Sequence, residues 1–263
     1  MMLVGKLYEK YLDVLDHHNG NFSMKEPLPE KLKISESGRL SIFYAPFDSV
    51  NTKARVVLVG ITPGLQQAVN ALNAAKQEID RGVGTLEVVV TAKATASFSG
   101  TMRSPLIEML DHVGLNTALG ITSCAALFSD RQDLLHSTSI LRYPVFYDGK
   151  NYSGSPNMLK TPLLRAALEA RFSEEALMLP DAVYVPLGPK VSEGLQHLAN
   201  KGILNEGHIL SGIPHPSGAN AERIKYFLGR KSADRLSVKT NPAKIDIAKT
   251  ALLAKIHKLS LSY

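Results

Sequence analysis

The stretch VVLVGITPGL at residues 56–65 decides the fold of this chain. It opens with four apolar residues, three of them β-branched, which predict a buried parallel strand. Gly60, Pro63 and Gly64 predict an abrupt turn, and apolar residues at helical spacing after Leu65 predict a helix. Such a unit presents backbone N–H groups at the carboxyl edge of the sheet, where open α/β sheets bind ligands. We therefore expect residues 60–64 to line a binding site.

Length and composition bound the class of protein. The chain has 263 residues, 44% of them hydrophobic, and a mean hydropathy of -0.02, which predicts one globular domain over residues 1–263. Its single cysteine, Cys124, excludes a disulfide framework and an iron–sulfur cluster or zinc ribbon within the chain, and fits a reducing cytoplasm. No apolar run reaches about 18 residues, so we expect neither a membrane span nor a signal peptide.

Core strands are predicted in four segments that alternate with helices. The first begins at Val56, and the others lie at Ala118–Leu127, Ala182–Leu187 and His208–Pro214. Strands that alternate with helices are typical of a parallel sheet covered by helices. We expect an α/β fold, specifically a three-layer αβα sandwich with a mainly parallel four-stranded central sheet.

The rest of the pattern predicts one hairpin and several helices. Asp148-Gly149, between aromatic and β-branched residues, predicts a β-hairpin at Tyr143–Tyr152. Residues 86–96 fit a helix or a strand equally well. We expect residues 1–50 to form an N-terminal helix and arm. Other helices are expected after Gly64, through residues 106–113, over 162–172 and 188–200, and as a basic amphipathic helix over 241–263.

Positive charge is concentrated at the C-terminus. From Lys225 to Tyr263 there are nine Lys or Arg against two Asp, a net of +7, whereas the whole chain carries +6 and the remainder therefore −1. A clustered basic surface favours a polyanionic partner such as nucleic acid. A solvated helix face rich in lysine would give the same charge run, so both interpretations stay open.

The order of motifs resembles the uracil-DNA glycosylase superfamily. A Gly-x-x-Pro-Gly loop at Gly60–Gly64 follows the first core strand, Phe98 lies in Ser-Phe-Ser-Gly downstream, and a His-Pro-Ser loop begins at His215. Between them, residues 182–199 look like the strand-Leu-Gly-helix unit of the superfamily. The resemblance covers about residues 55–229, and four motifs in order are more specific than any one of them.

The resemblance implies hydrolysis of the N-glycosidic bond between deoxyribose and a flipped uracil or other damaged base, as in base excision repair. His215 would donate to the carbonyl of the departing base, and Thr62 with the loop backbone would place the water. Phe98 would stack on the base, and Ser123 would contact its edge. The other residues expected to bind the substrate are Gly60, Ile61, Pro63 and Gly64.

DNA is the partner that this resemblance implies, single- or double-stranded. Ser217 and Gly218 would hold a phosphate, and nearby cations would attract the strand. Those cations are Arg223, Lys225, Arg230 and Lys231. We expect no cofactor, no membrane association and a monomer. No metal is expected either, because the histidines show no pairing at ligand spacing.

Several positions depart from the superfamily pattern. Its better-studied branches carry Asp, Asn or Glu in the first loop where this chain has Ile61 and Thr62, and a threonine is a poor general base. Ser123 stands where Asn is usual, and a small residue, Gly218, follows His-Pro-Ser in place of a proline and a bulky wedge. Two carboxylates beyond residue 127 are candidates to replace the missing acid. They are Asp130 and Asp133.

Alternatives in other classes stay open. A nucleic-acid-binding protein that has lost catalysis would explain Ile61, Thr62 and Ser123. An enzyme acting on free nucleosides or nucleotides is a third possibility, although it has no obvious use for a basic C-terminus. Each motif also has a structural interpretation, with Gly60–Gly64 as a tight strand–helix connection and Phe98 as a core aromatic.

Overall fold

The computed structural model describes residues 2–3, 7–96 and 102–260. These divide into two compact units. The described residues of unit 1 fall within Met1–Lys53, Gly60–Ser97 and Thr138–Leu179, and those of unit 2 fall within Ala54–Val59, Phe98–Ser137 and Pro180–Tyr263. The single domain over residues 1–263 and the three-layer arrangement stay predictions.

The secondary structure mixes short strands with longer helices. The strands are β1 Met2–Leu3, β2 Lys33–Ser37, β3 Leu40–Phe43, β4 Val50–Asn51, β5 Val56–Gly60, β6 Leu135–Ser139, β7 Val145–Tyr147, β8 Lys150–Asn151 and β9 Val183–Pro186. The helices are α1 Leu7–Asp16, α2 Leu65–Asp80, α3 Thr85–Ala96, α4 Arg103–His112, α5 Leu115–Leu119, α6 Pro162–Ala167, α7 Ser173–Leu177, α8 Pro189–Asn200, α9 Ala221–Phe227 and α10 Pro242–Ser260. The chain is an α/β protein.

A sheet in the order β6-β5-β9 contains the predicted first strand. β5 pairs in parallel with β9, from Val56 opposite Val183 to Val59 opposite Pro186. Residues 56–59 are fully buried, as a run of apolar and mostly β-branched residues predicts for a parallel strand. The backbone N–H of Leu187 continues the pairing by donating to the Val59 carbonyl at 2.9 Å. The strands predicted at Val56 and at Ala182–Leu187 are confirmed.

The strand predicted at Ala118–Leu127 is wrong. The segment contains the end of α5 and a 3₁₀ turn at Cys124–Phe128, separated by Gly120 with φ of +68°. Four of its apolar residues, Ala118, Leu119, Cys124 and Leu127, are buried as parts of a helix and a turn, which periodicity cannot distinguish from a strand over so few residues. The third strand of the sheet is β6, of sequence LHSTS, which its polar residues concealed.

The strand predicted at His208–Pro214 is also wrong. Among the described residues, this segment contributes one isolated parallel bridge, between Ile209 and Tyr184. Gly212 follows with φ of +125°, a conformation that ends a strand. A β-carbon at Gly212 would lie 2.7 Å from the Ala248 carbonyl oxygen of α10, so the backbone passes close to the helix there. In the described residues the sheet that contains β5 therefore has three strands and a bridge, and the predicted mainly parallel four-stranded central sheet is not observed.

Unit 1 holds an antiparallel sheet in the order β2-β3-β7-β8. Its last hairpin turns at Asp148 and Gly149, with φ of +50° and +70°, so the predicted Asp-Gly hairpin is confirmed. Residues 86–96, which fitted either structure, form helix α3 and bury Val88 and Val89. The helix predicted over 162–172 begins as expected at Pro162, but continues through a π-helical turn into α7.

The core of unit 2 packs helices around apolar side chains. The C-terminal helix α10 contributes Leu252 and Ile256, with 1% and 4% of their surfaces exposed. Ile245 and Leu259, on the predicted apolar stripe, pack against the same cluster. The amphipathic helix predicted after residue 241 is therefore confirmed, and one of its faces is buried against the core.

Candidate functional site

The predicted loop Gly60–Gly64 is anchored in unit 1. The carbonyls of Gly60 and Ile61 accept hydrogen bonds from the backbone N–H groups of Ile140 and Leu141, at 2.8 and 3.0 Å. Pro63 is buried. The loop therefore runs beside residues 140–141 and is fixed by backbone hydrogen bonds before it enters α2.

The start of α2 is capped by protein side chains. The Gly64 N–H donates to Gln67 Oε1 at 3.1 Å, and the Leu65 N–H donates to Asn151 Oδ1 at 2.9 Å. A β-carbon at Gly64 would lie 3.2 Å from Asn151 Nδ2, so a larger residue there would crowd the Asn151 side chain. Two of the free N–H groups expected at this helix N-terminus are thus already used. Asn151 contributes from the distant strand β8, and no sequence signal indicated it.

Thr62 has a structural role in this loop. Its hydroxyl donates to the Tyr143 carbonyl at 2.9 Å and accepts from the Val145 N–H at 3.0 Å. One lone pair of the oxygen is left, which can accept a hydrogen bond from a water molecule. Placement of a water by Thr62 therefore stays a prediction.

The Thr62 hydroxyl is expected to support stability. In Thr62→Val the shape is kept, but the Tyr143 carbonyl and the buried Val145 N–H lose their partner, so the free energy of unfolding should fall by about 1–3 kcal/mol. Urea denaturation measures this change. The matched control is Thr95→Val, because the Thr95 hydroxyl bonds the Thr91 carbonyl on an exposed part of α3. Equal effects of the two substitutions would contradict the structural role.

A buried cluster of charged groups lies next to this loop in unit 1 and shares Tyr143 with it. Tyr44 and Tyr143 each donate a hydroxyl hydrogen bond to the Asp48 carboxylate, at 2.8 Å. Burial raises the pKa of Asp48, and the two hydroxyls oppose that shift. Arg142 donates to the Glu175 carboxylate at 2.6 to 2.8 Å, and both side chains are at least 95% buried. No sequence pattern indicated this cluster, because its members are far apart along the chain.

Lys93 belongs to the same cluster and is 7% exposed. Its ammonium group donates to the Ser49 carbonyl at 2.6 Å. Burial lowers the pKa of Lys93 from 10.5 to about 8, although the carboxylates of Glu175 and Asp48 oppose that shift. The destabilising effect of burial on the charged ammonium is therefore larger than the stabilisation that the two carboxylates give it.

The depressed pKa of Lys93 predicts a pH-dependent stability. Between about pH 8 and 10.5 the unfolded chain binds the lysine proton more tightly than the folded chain, so stability rises with pH across this window. Relative to Lys93→Met, the native protein should gain about 1–2 kcal/mol between pH 8 and 9.5. Urea denaturation of both proteins at several pH values gives the difference between their free energies of unfolding. The contributions of other titrating groups cancel in this difference. A difference that is constant with pH would contradict the assignment.

His215, the predicted catalytic histidine, is half-buried in unit 2. Gly188, from the predicted Leu-Gly motif, is close to it, because a β-carbon there would lie 3.9 Å from the His215 ring. Burial lowers the pKa of His215, which favours the neutral imidazole. The Ser217 N–H donates to His215 Nδ1 at 3.2 Å. Since Nδ1 accepts, the ring proton is assigned to Nε2, which is then available as a donor.

Side chains after His215 form a hydrogen-bonded series. Asn220 Nδ2 donates to Ser217 Oγ at 3.1 Å, and Arg223 Nη1 donates to Asn220 Oδ1 at 2.6 Å. Arg223 Nη2 donates to the Lys239 carbonyl at 3.1 Å. Unit 2 thus brings His215, Ser217 and Arg223 together.

The other predicted DNA-binding residues differ in their surroundings. Gly218 is exposed and starts a 3₁₀ turn. Arg230 pairs with Glu108, and Lys231 pairs with Glu222, each at 2.6 Å. The Lys225 side chain is exposed. Part of the positive charge predicted from the sequence is therefore compensated within unit 2.

Ser123 is a helix cap in unit 2. Its hydroxyl donates to Asp111 Oδ2 at 2.6 Å and accepts from the Ala125 N–H at 3.1 Å. The same aspartate accepts from the Cys124 N–H at 2.6 Å. The Ser123 hydroxyl proton is therefore committed to a carboxylate, which weakens the argument that Ser123 contacts a base edge.

The two candidate carboxylates after residue 127 lie at the protein surface. Asp133 pairs with Arg131 at 3.1 Å, and Asp130 is exposed. Phe98 lies outside the described residues. Over the described ranges, no three His, Cys, Asp or Glu side chains are grouped to hold a metal ion. None of the described helices combines the length and apolarity needed to cross a membrane.

A cleft in unit 1 was not predicted from the sequence. It has a volume of about 260 Å³ and lies beside Leu65, at the end of the first loop. Phe43 and Phe146 line it and meet edge to face, with ring centroids 5.8 Å apart. Lys33 and Arg39 also line it. The sequence indicated only apolar residues in two strands at this place. Such residues are equally typical of a buried core, so they did not predict a cleft.

The fold and these local arrangements define an α/β protein with a histidine loop in unit 2 and a glycine-rich strand–helix loop in unit 1. No family model matches the chain, and no solved structure matches it. The chain is 36% identical over 225 residues to the uncharacterized protein YoxB of Bacillus subtilis strain 168, an alignment that covers 84% of this chain and 88% of YoxB. The chain belongs to the same family as YoxB.

Proposed function

We propose that this protein is a DNA-base glycosylase that hydrolyses the N-glycosidic bond of a flipped uracil or other damaged base. The observation that carries the proposal is the state of His215. Its Nδ1 accepts from the Ser217 N–H, and burial lowers its pKa, so it is a neutral imidazole with Nε2–H available to donate. A fixed neutral donor is suited to a base carbonyl that gains negative charge as the bond breaks.

In the proposed reaction the bond between C1′ of the sugar and the base nitrogen breaks, and its electron pair leaves with the base. His215 Nε2–H stabilises the charge that develops on the base carbonyl. A water oxygen then bonds to C1′ of the oxocarbenium-like sugar, and the proton released from this water neutralises the base. The products are an abasic site and the free base.

Other predicted residues keep proposed roles. The lone pair left on Thr62 orients the water, and the Phe98 ring stacks on the base. Substrate contacts are also proposed for Gly60, Ile61, Pro63, Gly64 and Ser123. In unit 2, the Ser217 hydroxyl accepts from Asn220 and keeps its own proton to donate to a phosphate.

DNA is the proposed partner, single- or double-stranded, and base excision repair in the cytoplasm is the proposed setting. Gly218, Arg223, Lys225, Arg230 and Lys231 are proposed to contribute to binding through backbone or charge. The proposed protein acts as a monomer and needs no cofactor.

A second candidate function is nucleic-acid binding without catalysis. Two observations favour it, because the hydroxyl proton of Thr62 is donated to the Tyr143 carbonyl and that of Ser123 to Asp111. The first loop also has no carboxylate to activate water. The histidine loop would then recognise a base or an abasic site without cleaving it.

Alkali-sensitive cleavage of labelled oligonucleotides separates the two candidates. The purified protein is incubated with single- and double-stranded DNA carrying uracil, hypoxanthine or xanthine, and the abasic sites are then cleaved. Abasic sites on any of these substrates support the glycosylase, and base preference identifies the substrate. Salt-sensitive binding with no cleavage of any substrate would reject the glycosylase and favour the binding protein.

A further inference from the structure

Val238 is an apolar residue in an unusual place. It is the most exposed large hydrophobic residue described, with its surface fully accessible at 104% of the reference value. It follows Ser237 in a β-turn that the Thr240 N–H closes by donating to the Ser237 carbonyl at 3.0 Å. A side chain so exposed adds nothing to the core, and a β-branched residue is not favoured at a turn. The Val238 side chain is therefore available for contact with a partner.

The turn is held firmly from below by Glu222 of α9. The Glu222 carboxylate accepts hydrogen bonds from the Ser237 N–H and hydroxyl, the latter at 2.6 Å. It also accepts from the Thr240 hydroxyl and the Lys231 ammonium, both at 2.6 Å. Thr240 is 7% exposed. Both ends of the turn are thus fixed, and only its tip projects.

The exposed charged residues near the tip in the sequence are mostly basic. Arg235, Lys239 and Lys225 are exposed, and Lys239 is next to Val238 in the turn. Residues 223–239 contain six Lys or Arg and one Asp. Arg230 and Lys231 pair with glutamates, so the exposed charge comes from the other four, which include Arg223. An apolar tip close in sequence to exposed basic residues matches bases flanked by phosphates.

The same turn is connected to the histidine loop within unit 2. The Lys239 carbonyl accepts from Arg223, which also bonds Asn220. Asn220 bonds Ser217, whose N–H bonds His215. The position of the turn is therefore linked through side chains to that of the histidine.

We propose that the turn Ser237–Thr240 is a contact surface for duplex nucleic acid, with the Val238 side chain inserted against unstacked bases. The exposed cations Arg235 and Lys239 face the phosphates on either side. That the bound duplex is also a substrate rests on the proposed function. The contact between the turn and a duplex does not. A membrane surface is less suitable, since one valine buries too little apolar area for stable attachment.

The test uses the full chain and a duplex that it cannot cleave. The duplex carries a stable abasic analogue with 2-aminopurine beside it, and the fluorescence of 2-aminopurine rises when the base unstacks. The native protein is expected to raise this fluorescence. Val238→Ser is expected to lose most of the rise and to bind about tenfold more weakly, with an unchanged salt dependence.

Two sets of variants serve as controls. Ile247→Ser removes another exposed apolar side chain, 71% accessible on α10, and should behave as the native protein. Arg235→Gln and Lys239→Gln should each lower the slope of log affinity against log salt by about one. Thermal melting checks that each variant is folded. We expect each to be folded, because the substituted side chains are exposed.

The outcomes separate this inference from the proposed function. A fluorescence rise that depends on Val238, in a protein that forms no abasic sites, would support the contact and reject the glycosylase. Equal fluorescence and affinity for Val238→Ser and the native protein would overturn the contact, whatever the cleavage assay gives. No duplex binding by the native protein would overturn it too. The contact would also be overturned if Val238→Ser weakened binding to phosphatidylserine vesicles and left duplex binding unchanged.

Discussion

His215→Ala is expected to lower the rate of base excision by about 10²–10³-fold while leaving the protein folded. The imidazole is the proposed donor to the departing base, and its removal leaves the developing charge without that stabilisation. The ring is half-buried and its Nδ1 accepts one backbone N–H, so the substitution removes few packing contacts. Single-turnover cleavage of the preferred oligonucleotide measures the rate.

His215→Gln gives a graded control. Its amide N–H can donate near the position of Nε2, but without the fixed orientation that Ser217 gives to the imidazole, so an intermediate rate is expected. DNA affinity measured on an abasic analogue should change little in either variant. A rate for His215→Ala within about threefold of the native rate would reject His215 as the donor, because a donor lost in the transition state costs far more.

Arg142→Met is expected to destabilise the protein by about 3–5 kcal/mol. Arg142 and Glu175 are 5% and 1% exposed, and their side chains lie 2.6 Å apart. Removing the guanidinium takes away the ion-pair partner of the buried Glu175 carboxylate, and the Arg171 carbonyl loses a donor as well. Urea denaturation of native and variant protein gives the change in the free energy of unfolding.

An exposed ion pair in the same unit is the matched control. Arg39 pairs with Asp148, with 65% and 39% of their side chains exposed, so Arg39→Met should cost less than about 1 kcal/mol. The double variant Arg142→Met, Glu175→Leu should recover much of the loss, since the Glu175 carboxylate is then no longer buried without the guanidinium. Equal costs for Arg142→Met and Arg39→Met would contradict the assignment of a buried, tightly paired cluster.

Local signals in the sequence predicted elements whose residues agree with their surroundings. The run at residues 56–59 is apolar on every side chain, and it forms a fully buried strand. Asp148-Gly149 forms the expected turn because both residues tolerate positive φ. The stripe on α10 is buried at Leu252 and Ile256 because helical spacing places these residues on one face.

The predictions that were wrong concern segments where local pattern and tertiary pairing disagree. Ala118–Leu127 is apolar enough for a strand, but Gly120 adopts a left-handed conformation and Ser123 caps a turn. The strand that takes its place, β6, buries only two of its five residues and is polar in sequence. Its place in the sheet comes from hydrogen bonds to β5, which no pattern within five residues can specify.

By itself, the sequence determined the α/β class, the strand–turn–helix unit at residues 56–65 and the helix that ends the described chain. It also singled out His215 and Thr62 as candidates, because residue type and motif order are local properties. Only the tertiary structure decided what their polar atoms contact. The tautomer of His215 depends on the Ser217 N–H, and the Thr62 hydroxyl bonds the chain at residues 143 and 145. Hydrogen-bond partners are set by the folded backbone, which brings together residues far apart in the chain.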